Sequence, residues 1–191
     1  MALKQTVAPA ALPVEVVEAK LHLRVIGTDE DTLIMAMLGA ATQLAEQATG
    51  RALMLQTWQL SLDNFPTAFE LTRVPAQSVS SIVYTDSTGA DQTVLAGNYT
   101  LDNADDFGTA LVLPAYSKSW PAARCQANAV RLTFVAGYAN AAAVPESIKS
   151  WIKLCVGAMY ENRESEVVGN GSVMSLGFAD RLLDRYKVWS L

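Results

Sequence analysis

The spacing of apolar positions changes twice along the chain, and the changes divide it into three stretches. From Pro13 to Val25 the residues Val16, Val17, Lys20, Leu21 and Arg24 place apolar and charged side chains on different sides of a short helix. Gly27 breaks it. Thr28 then precedes Asp29, Glu30 and Asp31, a hydroxyl N-cap with acids in the first turn and an imperfect capping box. Leu33, Ile34, Met37, Leu38, Ala41, Leu44, Ala45 and Ala48 follow at spacings of three and four, and Gly50 supplies the stop. The pattern predicts a second, longer helix.

After Leu53 the period falls to two. Trp58, Leu60 and Leu62 alternate within a strand predicted over 53–62, and Ser80–Thr85 is a second strand. Asp86-Ser-Thr-Gly89 is a turn leading to 92–95. Tyr99–Leu101, Ala110–Leu113 and Val130–Tyr138 complete a set of short strands, with Pro66, Pro75, Pro114 and Pro121 between them. These are the marks of a compact antiparallel unit.

Helical spacing returns at Pro145. Ile148, Trp151, Ile152, Cys155, Val156, Met159 and Tyr160 form one broad apolar face, closed by Glu161, Arg163, Glu164 and Glu166. Val167–Gly177 has no period and reads as a loop. Phe178–Trp189 is a last helix, with Leu182, Leu183, Tyr186 and Trp189 on one side. The expected fold is α+β: a small helical bundle formed by the N- and C-terminal helices, with an inserted antiparallel β-rich unit. The expected division is 1–52 for an N-terminal arm and two helices, 53–140 for the insertion, and 141–191 for the C-terminal helices with a loop near 165–177.

Composition adds one problem to this picture. Hydrophobic residues make up 51% of the 191, while charged residues are only 17%, against roughly 25% in ordinary soluble domains. Either the surface is rich in small and uncharged polar residues, or part of it is buried against other chains. Fourteen basic and nineteen acidic residues leave a net charge of −5. The opening MALKQTVAPAALPVEVVEA has no apolar segment of a secretory signal and reads as an extended arm. No uncharged apolar run approaches the ~18 residues of a membrane span. Cys125 and Cys155 form no C-x-x-C pair, and a reduced intracellular protein is expected, which makes the sequons at Asn98 and Asn170 incidental.

A search for chemistry returns little. The lone histidine, His22, excludes multi-histidine metal sites, and no G-x-S-x-G elbow accompanies it. The acidic run from Asp102 to Gly108, with Asp105 and Asp106, fails as an EF-hand loop, because Phe107 and Leu113 stand where glycine and glutamate belong; a solvated turn is the expectation. Gly169-Asn-Gly171 is no phosphate cradle. Glu161 and Glu164 are a charged helix end, not a catalytic pair. Arg181, Arg185 and Lys187 are the densest basic group, but Asp180 and Asp184 interleave with them, so phosphate tracking is not expected. No catalytic residue, cofactor site or metal site is assigned.

In helix order and punctuation the chain resembles the head–tail connector (adaptor) proteins of tailed phages and prophages, often labelled DNA-packaging proteins. The likeness is carried by Glu18-Ala-Lys-Leu-His-Leu-Arg-Val25 with Thr28-Asp-Glu-Asp31, and by Glu46-x-x-Thr-Gly-Arg-Ala-Leu53 with Gln56-Thr-Trp58. Val135-Ala-Gly-Tyr138, Val144-Pro-Glu-Ser-Ile-Lys149, Tyr160-Glu-Asn-Arg-Glu164 and Tyr186-Lys-Val-Trp189 extend it. The resemblance implies a non-enzymatic virion assembly protein. Its copies would form a ring of about a dozen, a closed cyclic oligomer, beneath the portal protein. The ring would extend the DNA channel without sequence-specific binding and give tail or neck proteins a place to dock. It implies assembly in the host cytoplasm, a final place at the virion head–tail junction, and no membrane partner. A long β insertion departs from the smallest, nearly all-helical connectors.

The acidic balance suits a conduit, since a basic wall would hold DNA instead of letting it slide. Contact with a neighbouring subunit or the portal is expected through Glu164, Val167, Val168, Met174, Leu176, Phe178, Leu182, Tyr186 and Trp189. The alternatives are another neck or tail-completion virion protein and, more remotely, a carboxylate-dependent hydrolase.

Overall fold

The computed structural model describes residues 1–104, 108–162, 179 and 181–188. Among the described residues four helices, α1 (Val16–Leu23), α2 (Asp31–Thr49), α3 (Glu146–Glu161) and α4 (Arg181–Asp184), accompany eight strands. The strands are β1 (Ala2–Val7), β2 (Gln56–Leu62), β3 (Phe69–Leu71), β4 (Ala76–Thr85), β5 (Asp91–Thr93), β6 (Tyr99–Asp102), β7 (Ala110–Pro114) and β8 (Val130–Ala136). The expected α+β architecture is present, with helices and antiparallel sheets around separate cores.

Helix α2 buries Ile34, Leu38, Ala41, Ala45 and Thr49 along one stripe, at the three- and four-residue spacing its sequence predicts. Against it α3 packs Ile148, Ile152 and Val156, all fully buried. Helix α1 is shorter than 13–25. It ends where Arg24 turns left-handed at φ 58°, and the Val25 N–H returns to the Lys20 carbonyl at 3.0 Å. The start expected at Thr28 also moves. Thr28 closes a turn in which its carbonyl accepts from Asp31 N–H, and α2 begins at Asp31 with no side-chain cap. The acids of that segment are used elsewhere: Asp31 pairs with Lys20 at 2.6 Å, and Glu30 accepts from the Tyr160 hydroxyl of α3.

The last helix is one turn, not the span 178–189. Its continuation is diverted, because Val188 N–H donates to the Thr49 carbonyl at 2.8 Å and the Tyr186 carbonyl accepts from Arg51 Nε at 2.7 Å. Those bonds to the end of α2 replace the ones a longer helix would make.

The strands form a five-stranded antiparallel sheet in the order β1-β2-β8-β4-β5 and a three-stranded sheet in the order β3-β7-β6. Central β8 buries Val130, Leu132, Phe134 and Ala136 and leaves the residues between them half-exposed, the pattern of a strand covered on one face. Both sheets contribute to one core, where Leu60, Ile82, Leu132 and Phe134 meet Phe69, Leu71 and Val112. The rings of Phe65 and Trp120 stack 5.3 Å apart over Phe69 at its edge.

Three strand expectations change. The N-terminal arm is an edge strand, Leu3 opposite Leu60 and Gln5 opposite Trp58. Strand β4 begins at Ala76, not Ser80, since two register shifts against β8 scramble its alternation. Phe69–Leu71, too short to show a period, is a strand as well.

Candidate interaction surfaces and the seam behind them

The segment linking α2 to β2 is where the two cores meet. Ala52 lies in the β core, while its neighbours Leu53 and Met54 lie in the helical core. A chain that alternates between two cores must satisfy its polar groups at the seam. Glu46, from the last turn of α2, does so: its Oε1 accepts from Leu53 N–H at 2.8 Å and from Gln56 Nε2 at 2.7 Å. Gln56 in turn accepts from Gln5 Nε2 of β1 at 2.5 Å. Arg51 is 2% exposed and ties in the C-terminal segment through Tyr186. The Glu46–Gln56 stretch that carries the family likeness is therefore a buried polar seam.

Gly137 completes the seam from the other side. It sits at φ +117°, and a Cβ there would fall 2.1 Å from the Met54 carbonyl oxygen. Only glycine allows β8 to leave its sheet this close to the α2–β2 link. Gly50, at φ +74°, ends α2 and turns the chain into the seam. Both motifs, Thr-Gly-Arg-Ala-Leu and Val-Ala-Gly-Tyr, are thus structural.

Of the residues expected to form an interface, only Leu182 and Tyr186 lie among the described ones. Both are half-buried, and Tyr186 packs against the helical core of its own chain. Glu164, Val167, Val168, Met174, Leu176, Phe178 and Trp189 lie outside the described residues, as do Asp105 and Asp106 of the acidic run. The described end of that run is a turn: Asp102 Oδ1 accepts from Ala104 N–H at 3.2 Å, and Asn103 Nδ2 donates to the Ala76 carbonyl at 3.1 Å.

His22 is exposed, with its ring beside Gly157 of α3. No group of three or more metal-ligating side chains comes together among the described residues. Cys125 and Cys155 are separate free cysteines, and burial pushes the Cys155 thiol up. No described helix is long and apolar enough to cross a membrane. Asp86 caps its turn by accepting from Thr88 Oγ1, Gln92 Nε2 and the amides of Ala90 and Thr88, which lower its pKa to about 2. Asp91 is also held below the usual carboxylate range, first by Arg131 at 2.5 Å and then by Thr85. On α3, Lys153 bridges Glu18 at 2.8 Å and Glu146 at 3.2 Å; Glu18 leads the effects that raise its pKa.

What the sequence reading missed is the outside of the helical layer. An open groove of about 780 Å³ runs between the approach to α1 and the 3-10 turn after β8, lined by Leu12, Val14, Val17, Met35, Met54 and Ala141. Glu15 is its one ionisable residue, so it holds no acid–base pair. Beside it, α1 exposes 68% of Val17 and 77% of Leu21, and Ile26 beyond it is 97% exposed. Helix α2 is stranger. Between Asp31 and Glu46 it has no charged residue, and its exposed positions are Thr32, Leu33, Met35, Ala36, Ala40, Gln43 and Leu44. Solvated helix faces ordinarily carry charge.

No protein-family model and no curated protein matches the chain. Solved structures do. A chain in "Virion of native gene transfer agent (GTA) particle" aligns over 100% of this chain and 97% of its own length, with TM-score 0.80 and 24% identity. A chain in "Neck of empty GTA particle computed with C6 symmetry" aligns over the same shares with TM-score 0.79 and 22% identity. One in "Neck of native GTA particle computed with C12 symmetry" does so with TM-score 0.76 and 24% identity. The fold is shared from end to end.

Proposed function

We propose that this chain is a structural subunit of the neck of a phage-like particle: a head–tail connector whose copies close into a ring, dock on a portal protein and extend the DNA channel toward the tail. The observation that carries the reading is the end-to-end likeness of fold to chains of a gene transfer agent particle, two of them from necks treated with C6 and C12 symmetry. The motif resemblance to connector proteins supports it independently. So does the net charge of −5, which favours a channel wall that does not grip DNA. In this reading the protein has no catalytic role, assembles in the host cytoplasm and ends at the head–tail junction. The C-terminal region from Glu164 to Trp189 is its proposed contact with a neighbouring subunit or the portal.

Electron microscopy of the purified chain, alone and mixed with its portal, tests this. A ring seated coaxially on the portal is the expected result. Absence of any ring in both samples overturns it.

A further inference from the structure

The reading above needs a ring but does not say which surfaces close it. Cyclic rings with more than two subunits use head-to-tail contacts, in which two different patches of one subunit meet their counterparts on its two neighbours. The helical layer carries two such patches. One is the outer surface of α1 with its adjoining groove, where Val17, Leu21, Ile26 and Met35 are all more than half exposed. The other is the outward, uncharged face of α2, where Leu33 and Leu44 stand 38% and 44% exposed among Ala36, Ala40 and Gln43.

The two patches lie on different sides of the same helix. Met35 and Leu44 are nine residues apart, and at about 100° per residue their side chains leave α2 on opposite sides. A surface used twice by a self-symmetric dimer would not need both. The chemistry agrees as well. The α2 face presents no charge to be stripped of water, the groove has only Glu15 as an ionisable residue in its described lining, and Lys20 and Arg24 border the α1 face beside Val17 and Leu21.

We infer that the ring contact is made by the uncharged outer face of α2 of one subunit seated on the α1 face and groove of the next copy of this chain. The inference rests on the ring reading and specifies it: α1 and α2 bind the neighbouring copy, leaving the C-terminal region for the portal.

Two double variants test it, each at exposed positions and so expected to keep the fold, as circular dichroism and thermal melting verify. Val17→Glu with Leu21→Glu disables the first patch; Leu33→Glu with Leu44→Glu disables the second. Sedimentation velocity and electron microscopy then compare them with the unsubstituted chain. Each variant alone should lose self-association by about 100-fold or more, because contact would bury carboxylates without partners. A one-to-one mixture should restore a dimer and nothing larger, since each variant keeps the patch the other lacks. If the unsubstituted chain forms rings only on the portal, the same comparison is read there, and each variant should fail to complete the ring. Variants that assemble normally, a mixture that yields no dimer where the unsubstituted chain associates in solution, or variants that lose the portal while still forming rings each overturn the inference and leave the ring reading standing. An unsubstituted chain that forms no ring, alone or on the portal, removes the ring reading itself.

Discussion

Among the described residues the β unit and the helical layer enclose cores of nearly equal size, with fourteen and thirteen buried members, yet the exterior of α2 differs from both in carrying no charge between Asp31 and Glu46. The β unit ends in water: Asp63, Asp91, Asp102, Lys118 and Arg124 are exposed, and Arg131 pairs with Asp91 across the sheet face. The helical layer also exposes charge, at Glu15, Arg24, Asp29, Glu146 and Arg181, and uses other charges between its helices. Lys20, Asp31, Glu18 and Lys153 tie helices to one another, while the outside of α2 is left with alanine, leucine, threonine and glutamine. Equal cores mean that the difference does not arise from a shortage of apolar residues in one half. The uncharged exterior is a local property of α2, whereas the low overall charge is not, since the stretch 53–140 carries only 11 charged residues in 88.

The comparison is most severely tested at the seam, where the two regions meet. Gly137→Ala places a methyl against the Met54 backbone, with no side chain able to give way. The expected loss is on the order of 4 kcal/mol or more, read by urea unfolding, and both regions should melt together. A variant in which the helices persist after the sheets are lost would show the regions to be independent. Glu46→Ala comes next. It leaves Leu53 N–H and Gln56 without their acceptor, and about 2 kcal/mol of stability should go with it. Gly89→Ala, also at positive φ but facing only the mobile end of Arg124, should cost about 1 kcal/mol.

Acid and alkali separate the regions more gently. Asp86 and Asp91 have folded pKa values below the ordinary 3.8, so what they contribute is fully present above that value. It is lost as pH falls through about 2 for Asp86, and amide exchange in the β4–β5 hairpin should rise over that window. Lys153 has the opposite sign. Its pKa is raised above 10.5, so its bridge between α1 and α3 holds below that value and fails as pH climbs past it. Tryptophan fluorescence of Trp151 on α3 should report the alkaline change while the hairpin stays protected. The smallest effect on folding belongs to Leu44→Glu, within about 0.5 kcal/mol because the side chain is exposed, although assembly should respond strongly.

Much of this architecture is legible in the residue pattern, and the exceptions have physical reasons. Helix α2 declares itself through a five-turn apolar stripe. Its start does not, since Thr28 and the following acids look like a cap and instead serve a turn, a lysine and a tyrosine from α3. Strand β1 pairs with a segment about fifty residues away, and no local pattern announces such a partner. Strand β4 hides behind two register shifts, and β3 has too few residues for any period. For the interaction surface, the sequence directs attention to the apolar C-terminal region. The α2 face escapes notice because a missing feature, charge, is its signature, and alanines and glutamines do not look like contacts until their exposure is known.

Local sequence alone determines the alternation of helical and β stretches, the low charge and the glycines at chain reversals, because each depends on residues a few positions apart. The motifs that carry the connector resemblance are equally plain in one dimension. Their meaning is not: that Glu46, Arg51, Gln56 and Gly137 form one seam follows only from bringing together residues up to ninety positions apart. Burial is likewise a property of three-dimensional packing. It decides which side of α2 faces the core, and so which uncharged side is left outward.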